Sequence, residues 1–169
     1  MKKIISIIIS IAMCAMLASC GGVKNEVSDT EQPTLIDTMS LEEKVGQILF
    51  VRCVDDEQTD DLMSIKPGGI LMFGRDFEGL TKDEVKEKIQ SYQDKSDIPL
   101  IIGADEEGGT VVRVSSNPNL APEKFKSPQE IYNEGGMDAV VENATEKSEL
   151  LLSLGVNMNI APVADVSTN

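Results

Sequence analysis

Asp105 and Arg113 are the two side chains whose types and spacing best suit ligand chemistry. They stand eight residues apart, on either side of Gly108 and Gly109, and they follow an apolar run at residues 98–102. A carboxylate accepts hydrogen bonds and a guanidinium donates them in a fork, so the pair suits a polyhydroxylated ligand. Because ligands of α/β proteins bind at the carboxyl ends of parallel strands, we predict a binding site here.

Two other kinds of site can be considered for the same segment. Its glycines lack the spacing of a dinucleotide fingerprint, and no helix start follows them directly. The acids at 105–107 together with Asp165 could serve as ligands of a divalent cation, although paired acids at a strand end are common without metal. We expect Glu107 to brace the turn rather than to contact a ligand.

Residues 1–19 are interpreted as a secretory signal. Lys2 and Lys3 precede an apolar stretch that is too short for a spanning helix and that ends in Leu-Ala-Ser-Cys. This ending resembles a bacterial lipobox, which implies lipidation of Cys20 and a lipid anchor on the outer face of the cell membrane. A plain signal peptide or an uncleaved anchor is the alternative. Residues 20–32 are polar and aperiodic, as expected for a flexible tether.

The composition argues against several classes of function. The chain carries 15 basic and 29 acidic residues; without residues 1–19 the basic residues fall to 13 and the net charge is −16, so nucleic acid is not an expected partner. The absence of histidine removes the commonest general base and zinc ligand. With Cys14 in the signal and Cys20 lipidated, Cys53 alone remains, and it is interpreted as a buried thiol.

The remaining chain alternates helix and strand signals, which calls for a parallel sheet. Capping-box patterns predict helices after Ser40, Thr81 and Ser127; glycines 135 and 136 stop the third, and a longer helix follows from 138 to 154. The acidic stretch 55–61 is interpreted as a solvated loop or a helix start. Strands are predicted near residues 48–54, 70–73, 99–103 and 156–161. An open sheet would be complete with four or five strands, whereas a barrel needs about 250 residues.

Three segments carry a family resemblance: GGILMFGR (68–75), DEEGGTVVR (105–113) and GVNMNIAPVADV (155–166). Together they resemble the N-terminal domain of glycoside hydrolase family 3, and within it the bacterial β-N-acetylhexosaminidase branch. Family members carry Asp-Gln-Glu-Gly-Gly with an Arg eight residues after the Asp. Here Glu106 replaces the Gln and Thr110 the usual Arg, while Asp105 and Arg113 keep their register.

The resemblance implies a (β/α)8 barrel of the TIM type, with residues 33–169 as its N-terminal half and about four β/α units present, so we expect the chain to be truncated. It implies that Asp105 and Arg113 hold hydroxyls of the non-reducing sugar and that Asp165 is a further substrate-binding acid near them. Capping of the following backbone is the alternative role for Asp165. The nucleophilic Asp and the acid/base His of this branch come from later segments, so no catalytic residue is expected within this chain. No cofactor and no metal are implied.

For the full-length protein we therefore expect exo-acting, retaining hydrolysis of terminal β-N-acetylglucosamine from cell-wall or chitin-like glycans. The expected partners are a small carbohydrate substrate and, through the lipid anchor, the membrane. Two alternatives remain open: a β-glucosidase of the same family, and a surface lipoprotein that binds glycans without cleaving them. The chain alone is expected to bind sugar at best, because a retaining glycosidase needs both a nucleophile and an acid/base group.

Overall fold

The computed structural model describes residues 33–52 and 56–164, and its elements all lie in one compact unit, Leu35–Asn169. The elements in chain order are α1 (Leu35–Thr38), α2 (Leu41–Gln47), β1 (Phe50–Val51), α3 (Asp56–Ser64), β2 (Gly69–Met72), α4 (Gly74–Phe77), α5 (Lys82–Gln93), β3 (Ile101–Ala104), α6 (Pro128–Leu154) and β4 (Met158–Asn159). The predicted signal segment with Cys20, the tether, Cys53 and Asp165 lie outside the described residues.

The four strands form one parallel sheet in the order β1-β2-β3-β4, which confirms the predicted α/β class. Each strand pairs with the next strand in sequence, and the order does not reverse. A doubly wound sheet reverses its strand order at a switch point, whereas a (β/α)8 barrel adds each strand on the same side. The observed order is that of the first four strands of a barrel.

Three helices begin at the predicted capping boxes. The side chains of Ser40, Thr81 and Ser127 each accept a hydrogen bond from the backbone N–H three residues on. The carboxylate of the glutamate at that position accepts in turn from the backbone N–H of the cap residue. The predicted interruption of the last helix is also confirmed, because Gly136 has φ 67° and breaks α6 into two segments. Gly155 ends α6 in the left-handed conformation with φ 94°.

The acidic stretch after the first strand forms a helix from Asp56 to Ser64, in agreement with the second of its two interpretations, a helix start. Two short helices, α1 and α4, were not predicted. Helix α4 begins after Phe73, whose backbone N–H donates to Asp76 Oδ2 at 2.7 Å. Within the ranges that the structure describes, no helix is long and apolar enough to cross a membrane.

One face of the sheet packs against helices and forms the core. Alternate residues of β2 and β3 point to this face because side chains alternate along a strand. Burying one such aliphatic side chain completely contributes roughly 1.5–3 kcal/mol. The buried cluster comprises Ile70, Met72, Ile102 and Ala104 from the strands, Val85 and Ile89 from α5, and Leu151 and Leu154 from α6, among others.

The ring of Phe50 lies on the opposite face of the sheet. Phe50 of β1 lies across Gly69 of β2 and Gly103 of β3: a Cβ built at these glycines would fall 2.6 Å and 2.4 Å from atoms of its ring. Ile160 reaches the same face, since its Cδ1 lies 3.6 Å from the Cβ position of Gly103. Phe50 and Ile160 remain 39% and 41% exposed, so this face is apolar and only partly covered.

Candidate functional site

The structure brings Asp105 and Arg113 together at the carboxyl end of β3. Arg113 Nη2 donates to Asp105 Oδ2 at 3.0 Å, and the two side chains are 26% and 28% exposed. The pair is therefore accessible to a ligand while being partly shielded from solvent, where charge-assisted hydrogen bonds are stronger than at a fully exposed site. Arg113 Nε is buried and has no hydrogen-bond partner within the described part of the chain.

A tight turn brings the arginine back to the aspartate. The backbone N–H groups of Glu107 and Gly108 both donate to the carbonyl of Val111 at 3.0 Å. Gly108 has φ 103° and Gly109 φ 67°, a conformation that residues with a Cβ rarely adopt. A Cβ at Gly108 would also lie 2.1 Å from the carbonyl oxygen of Lys126, so this position requires glycine.

Glu106 fixes the returning arm of this loop from the inside. Its carboxylate is fully buried and accepts from the backbone N–H of Arg113 and of Val114, both at 2.6 Å. The Ser115 backbone N–H at 3.3 Å and the Ser115 hydroxyl donate to its other oxygen. On the main-chain side, the Asn159 amide bonds both the N–H and the carbonyl of Glu106, at 3.0 and 3.1 Å.

The sequence analysis assigned the bracing of the turn to Glu107, and the structure divides that role. Glu107 contributes through its backbone, whereas the carboxylate that braces the loop belongs to Glu106. The signal for this was weak, because two adjacent glutamates look alike in a sequence. In the folded loop Glu106 is buried whereas Glu107 is half-buried, and the packing around the loop, which the sequence does not show, separates the two.

Lys147 of α6 is a second residue that sequence reasoning missed. It is 7% exposed, and its Nζ donates to the Glu107 carbonyl at 2.7 Å and lies 5.5 Å from the centre of the Phe125 ring. Burial lowers the pKa of the Lys147 ammonium, while the charges of Glu106 and Glu107 act in the opposite direction. The available signal was its spacing, since Lys147 falls four residues before Leu151 on the buried stripe of α6.

Residues after the first two strands complete the edge of the site. The guanidinium carbon of Arg52, which follows β1, lies 4.1 Å from the centre of the Phe73 ring, and that of Arg113 lies 5.7 Å from the same centre. Phe73 follows β2, so three consecutive strands contribute to one cluster, as expected for a parallel sheet. The arrangement offers carboxylate acceptors and guanidinium donors to a polyhydroxylated ligand.

Three further predictions concern this site. Asp165 lies outside the described residues, and its role stays a prediction. In the ranges 33–52 and 56–164, no group of three or more His, Cys, Asp or Glu side chains is arranged to hold a metal ion. The assignment of Asp105 and Arg113 to sugar hydroxyls also stays a prediction, although their contact is observed.

Comparison with known families identifies the fold. The model of the glycosyl hydrolase family 3 N terminal domain matches residues 40–169. The chain belongs to this family. The match covers all the elements from α2 onward, together with the Asp105 and Arg113 loop.

Several known proteins are similar to this chain in sequence or in fold. The chain is 30% identical over 105 residues to beta-hexosaminidase A from Pseudoalteromonas piscicida. This match covers 60% of this chain and 18% of that protein. A solved family 3 beta-N-acetylglucosaminidase from Paenibacillus sp. is 25% identical with a TM-score of 0.64, over 73% of this chain and 24% of that chain. NagZ from Neisseria gonorrhoeae, solved in complex with N-trifluoroacetyl-D-glucosamine, is 22% identical with a TM-score of 0.51, over 71% and 37%. The matches thus span between 18% and 37% of the length of these proteins.

Proposed function

We propose that the protein containing this chain is an exo-acting, retaining β-N-acetylhexosaminidase that removes terminal β-N-acetylglucosamine from cell-wall or chitin-like glycans. Within it, this chain supplies part of the sugar-binding subsite. The nucleophile and the acid/base group come from parts of the protein beyond these residues. Relatives named beta-hexosaminidase and beta-N-acetylglucosaminidase support this substrate class.

One observation carries the assignment of the subsite: the Asp105 carboxylate and the Arg113 guanidinium meet at 3.0 Å at the carboxyl edge of the sheet. A carboxylate can accept from two vicinal hydroxyl groups, and the guanidinium can donate to their oxygens. Asp105 acts as a binding group and not as the nucleophile.

The test uses the complete gene product with aryl β-N-acetylglucosaminide and aryl β-glucoside as substrates. Asp105→Ala should lower kcat/KM on the order of a hundredfold, because charged hydrogen bonds to the desolvated sugar disappear. Arg113→Lys should lower it by about tenfold, because an ammonium cannot reproduce the planar fork. Asp83→Ala on the exposed side of α5 is the matched control and should leave kcat/KM unchanged.

The same assay separates the alternatives. A wild type that prefers the glucoside is a β-glucosidase, and the proposed branch is then wrong. A wild type that binds chitooligosaccharides but cleaves neither substrate is a glycan-binding lipoprotein. If Asp105→Ala keeps full activity, the subsite assignment fails while the family membership stands.

The lipid anchor is part of the same proposal, and the Leu-Ala-Ser-Cys sequence before residue 21 supports it. Lipidated Cys20 would hold the mature protein on the outer face of the cell membrane, with residues 20–32 as a tether. Cys20→Ala should release the protein or leave its precursor uncleaved. Unchanged membrane retention and unchanged mass in this variant would contradict the anchor.

A further inference from the structure

We propose that Lys147 is a positioning residue for the sugar-binding pair Asp105 and Arg113, and that it acts through the carbonyl oxygen of Glu107. The inference rests on the proposed function, because it takes these two side chains as the groups that contact the sugar. Lys147 itself lies behind the loop, on α6, and contacts backbone rather than ligand. Its effect on the sugar is therefore transmitted through the main chain of the turn.

The hydrogen bonds of the loop show what the bond to the Glu107 carbonyl contributes to its conformation. The returning arm is fixed by the Glu106 carboxylate, which accepts from the backbone of residues 113–115. The tip is fixed by the Gly109 N–H, which donates to the Phe125 carbonyl at 2.8 Å. The outgoing arm, from which Asp105 projects, is held at Glu106 by the side-chain amide of Asn159 and at Glu107 by the 2.7 Å bond from Lys147 Nζ. Lys147 thus holds the part of this arm that adjoins the tip.

The loop provides the groups that interact with the buried ammonium of Lys147. Glu106 and Glu107 are the charged groups that act on it, and both belong to the loop. A cavity of about 230 Å³ beside it is otherwise lined by uncharged side chains, including Asn143, Ser148 and Asn159. An apolar residue would bury more favourably at this position of the helix stripe, since burying a charge is costly. The loop supplies the carbonyl and the negative charges that offset this cost.

Burial also gives the position a pH dependence. Because burial lowers the pKa of the Lys147 ammonium, this group loses its proton at a lower pH than an exposed lysine does. The neutral amine binds the Glu107 carbonyl more weakly and no longer attracts the two carboxylates. As the pH rises through this pKa, the outgoing arm should loosen, and the affinity of the pair for sugar should fall.

The experiment compares three variants of the complete gene product on aryl β-N-acetylglucosaminide. Lys147→Met keeps the length of the side chain but removes the donor, and kcat/KM should fall about tenfold. Lys147→Gln keeps an N–H donor without the charge, so its kcat/KM should fall by no more than about threefold. Lys86→Met on the exposed side of α5 removes the same charge away from the site and should match the wild type.

Two readouts distinguish positioning from a purely structural role. The alkaline decline of kcat/KM should begin at lower pH in wild type than in Lys147→Met, and amide exchange at Gly109 and Val111 should be faster in Lys147→Met at equal global stability. Wild-type kcat/KM in Lys147→Met, superposable pH profiles, or unchanged loop exchange would each overturn the inference. An inactive wild type would refute the proposed function instead.

Discussion

Two groups of charges lie at opposite ends of the sheet and are built in different ways. At the amino ends of the strands, Lys66 contacts Glu43 at 2.6 Å and Asp97 at 3.7 Å, and its side chain is 50% exposed. At the carboxyl ends, the Glu106 carboxylate is fully buried and accepts mainly from backbone N–H groups. Contact distances at the two ends are similar, so distance alone does not rank these interactions.

The comparison shows which charged groups fix the conformation of the backbone. An exposed ion pair contributes little to the stability of the fold, because solvent and salt screen both charges and two long side chains must be ordered. A buried carboxylate with several donors is costly to create and more costly to disrupt, because its donors are left without partners. The carboxyl end therefore uses charge to fix a loop, whereas the amino end carries an ordinary surface ion pair.

Removing the buried carboxylate should have the largest effect on stability. Glu106→Ala leaves the N–H groups of residues 113–115 without an acceptor, and we expect the free energy of unfolding to fall by about 3–5 kcal/mol. Glu106→Gln should cost less, because one amide oxygen still accepts while the amide nitrogen can donate to the Ser115 hydroxyl. Urea unfolding of the protein measures both. A change below about 1 kcal/mol in Glu106→Ala would contradict the assigned role.

The turn glycine should give the next largest effect. Gly108→Ala combines a φ of 103° with a Cβ placed 2.1 Å from the Lys126 carbonyl oxygen, and we expect a loss of about 3 kcal/mol. Gly79→Ala is the matched control, because Gly79 has φ 75° but no atom within 4 Å of its Cβ position. That variant should lose only about 1 kcal/mol. Equal losses measured by urea unfolding would show that backbone conformation, and not the contact with Lys126, decides the cost.

The surface ion pair should give the smallest effect, and one that depends on pH and salt. The hydrogen bond from Lys66 is the main cause that lowers the pKa of Glu43 below its usual 4.5, so the ionised carboxylate stabilises the fold above pH 4.5. This stabilisation should be lost as the pH falls through the folded-state pKa. Comparing urea midpoints of wild type and Glu43→Gln should show a small difference at neutral pH that disappears in acid and at high salt. A difference as large as that of Glu106→Ala would invalidate the comparison.

Local signals in the sequence predicted most of the fold. The capping boxes at Ser40, Thr81 and Ser127 are formed as expected, because each depends on residues only three positions apart. The two outer strands proved shorter than predicted, since β1 and β4 have two residues each where seven and six were predicted, whereas β2 has the predicted four residues. Pairing ends where a neighbouring strand ends, and a single sequence does not contain that information.

The site was predicted only in part, because some of its contacts are local in sequence and others join distant elements. The approach of Arg113 to Asp105 follows from the two glycines between them, which is a local pattern. The roles of Glu106 and Lys147 depend on which side of the loop packs against α6 and on the position of β4. Lysine and glutamate are usually exposed, so their burial becomes evident only once the partners that satisfy them are in place.

The ring of Phe50 has a consequence for how this sequence can change. A single side chain on β1 fills the space left by a glycine on β2 and another on β3, although β1 and β3 share no hydrogen bonds. A methyl group at Gly103 would lie 2.4 Å from Phe50 Cζ, so a larger residue there is compatible only with a smaller one at position 50. Substitutions at these positions should therefore appear together among related sequences, because the side-chain volumes on β1 and β3 constrain each other although the two strands do not pair.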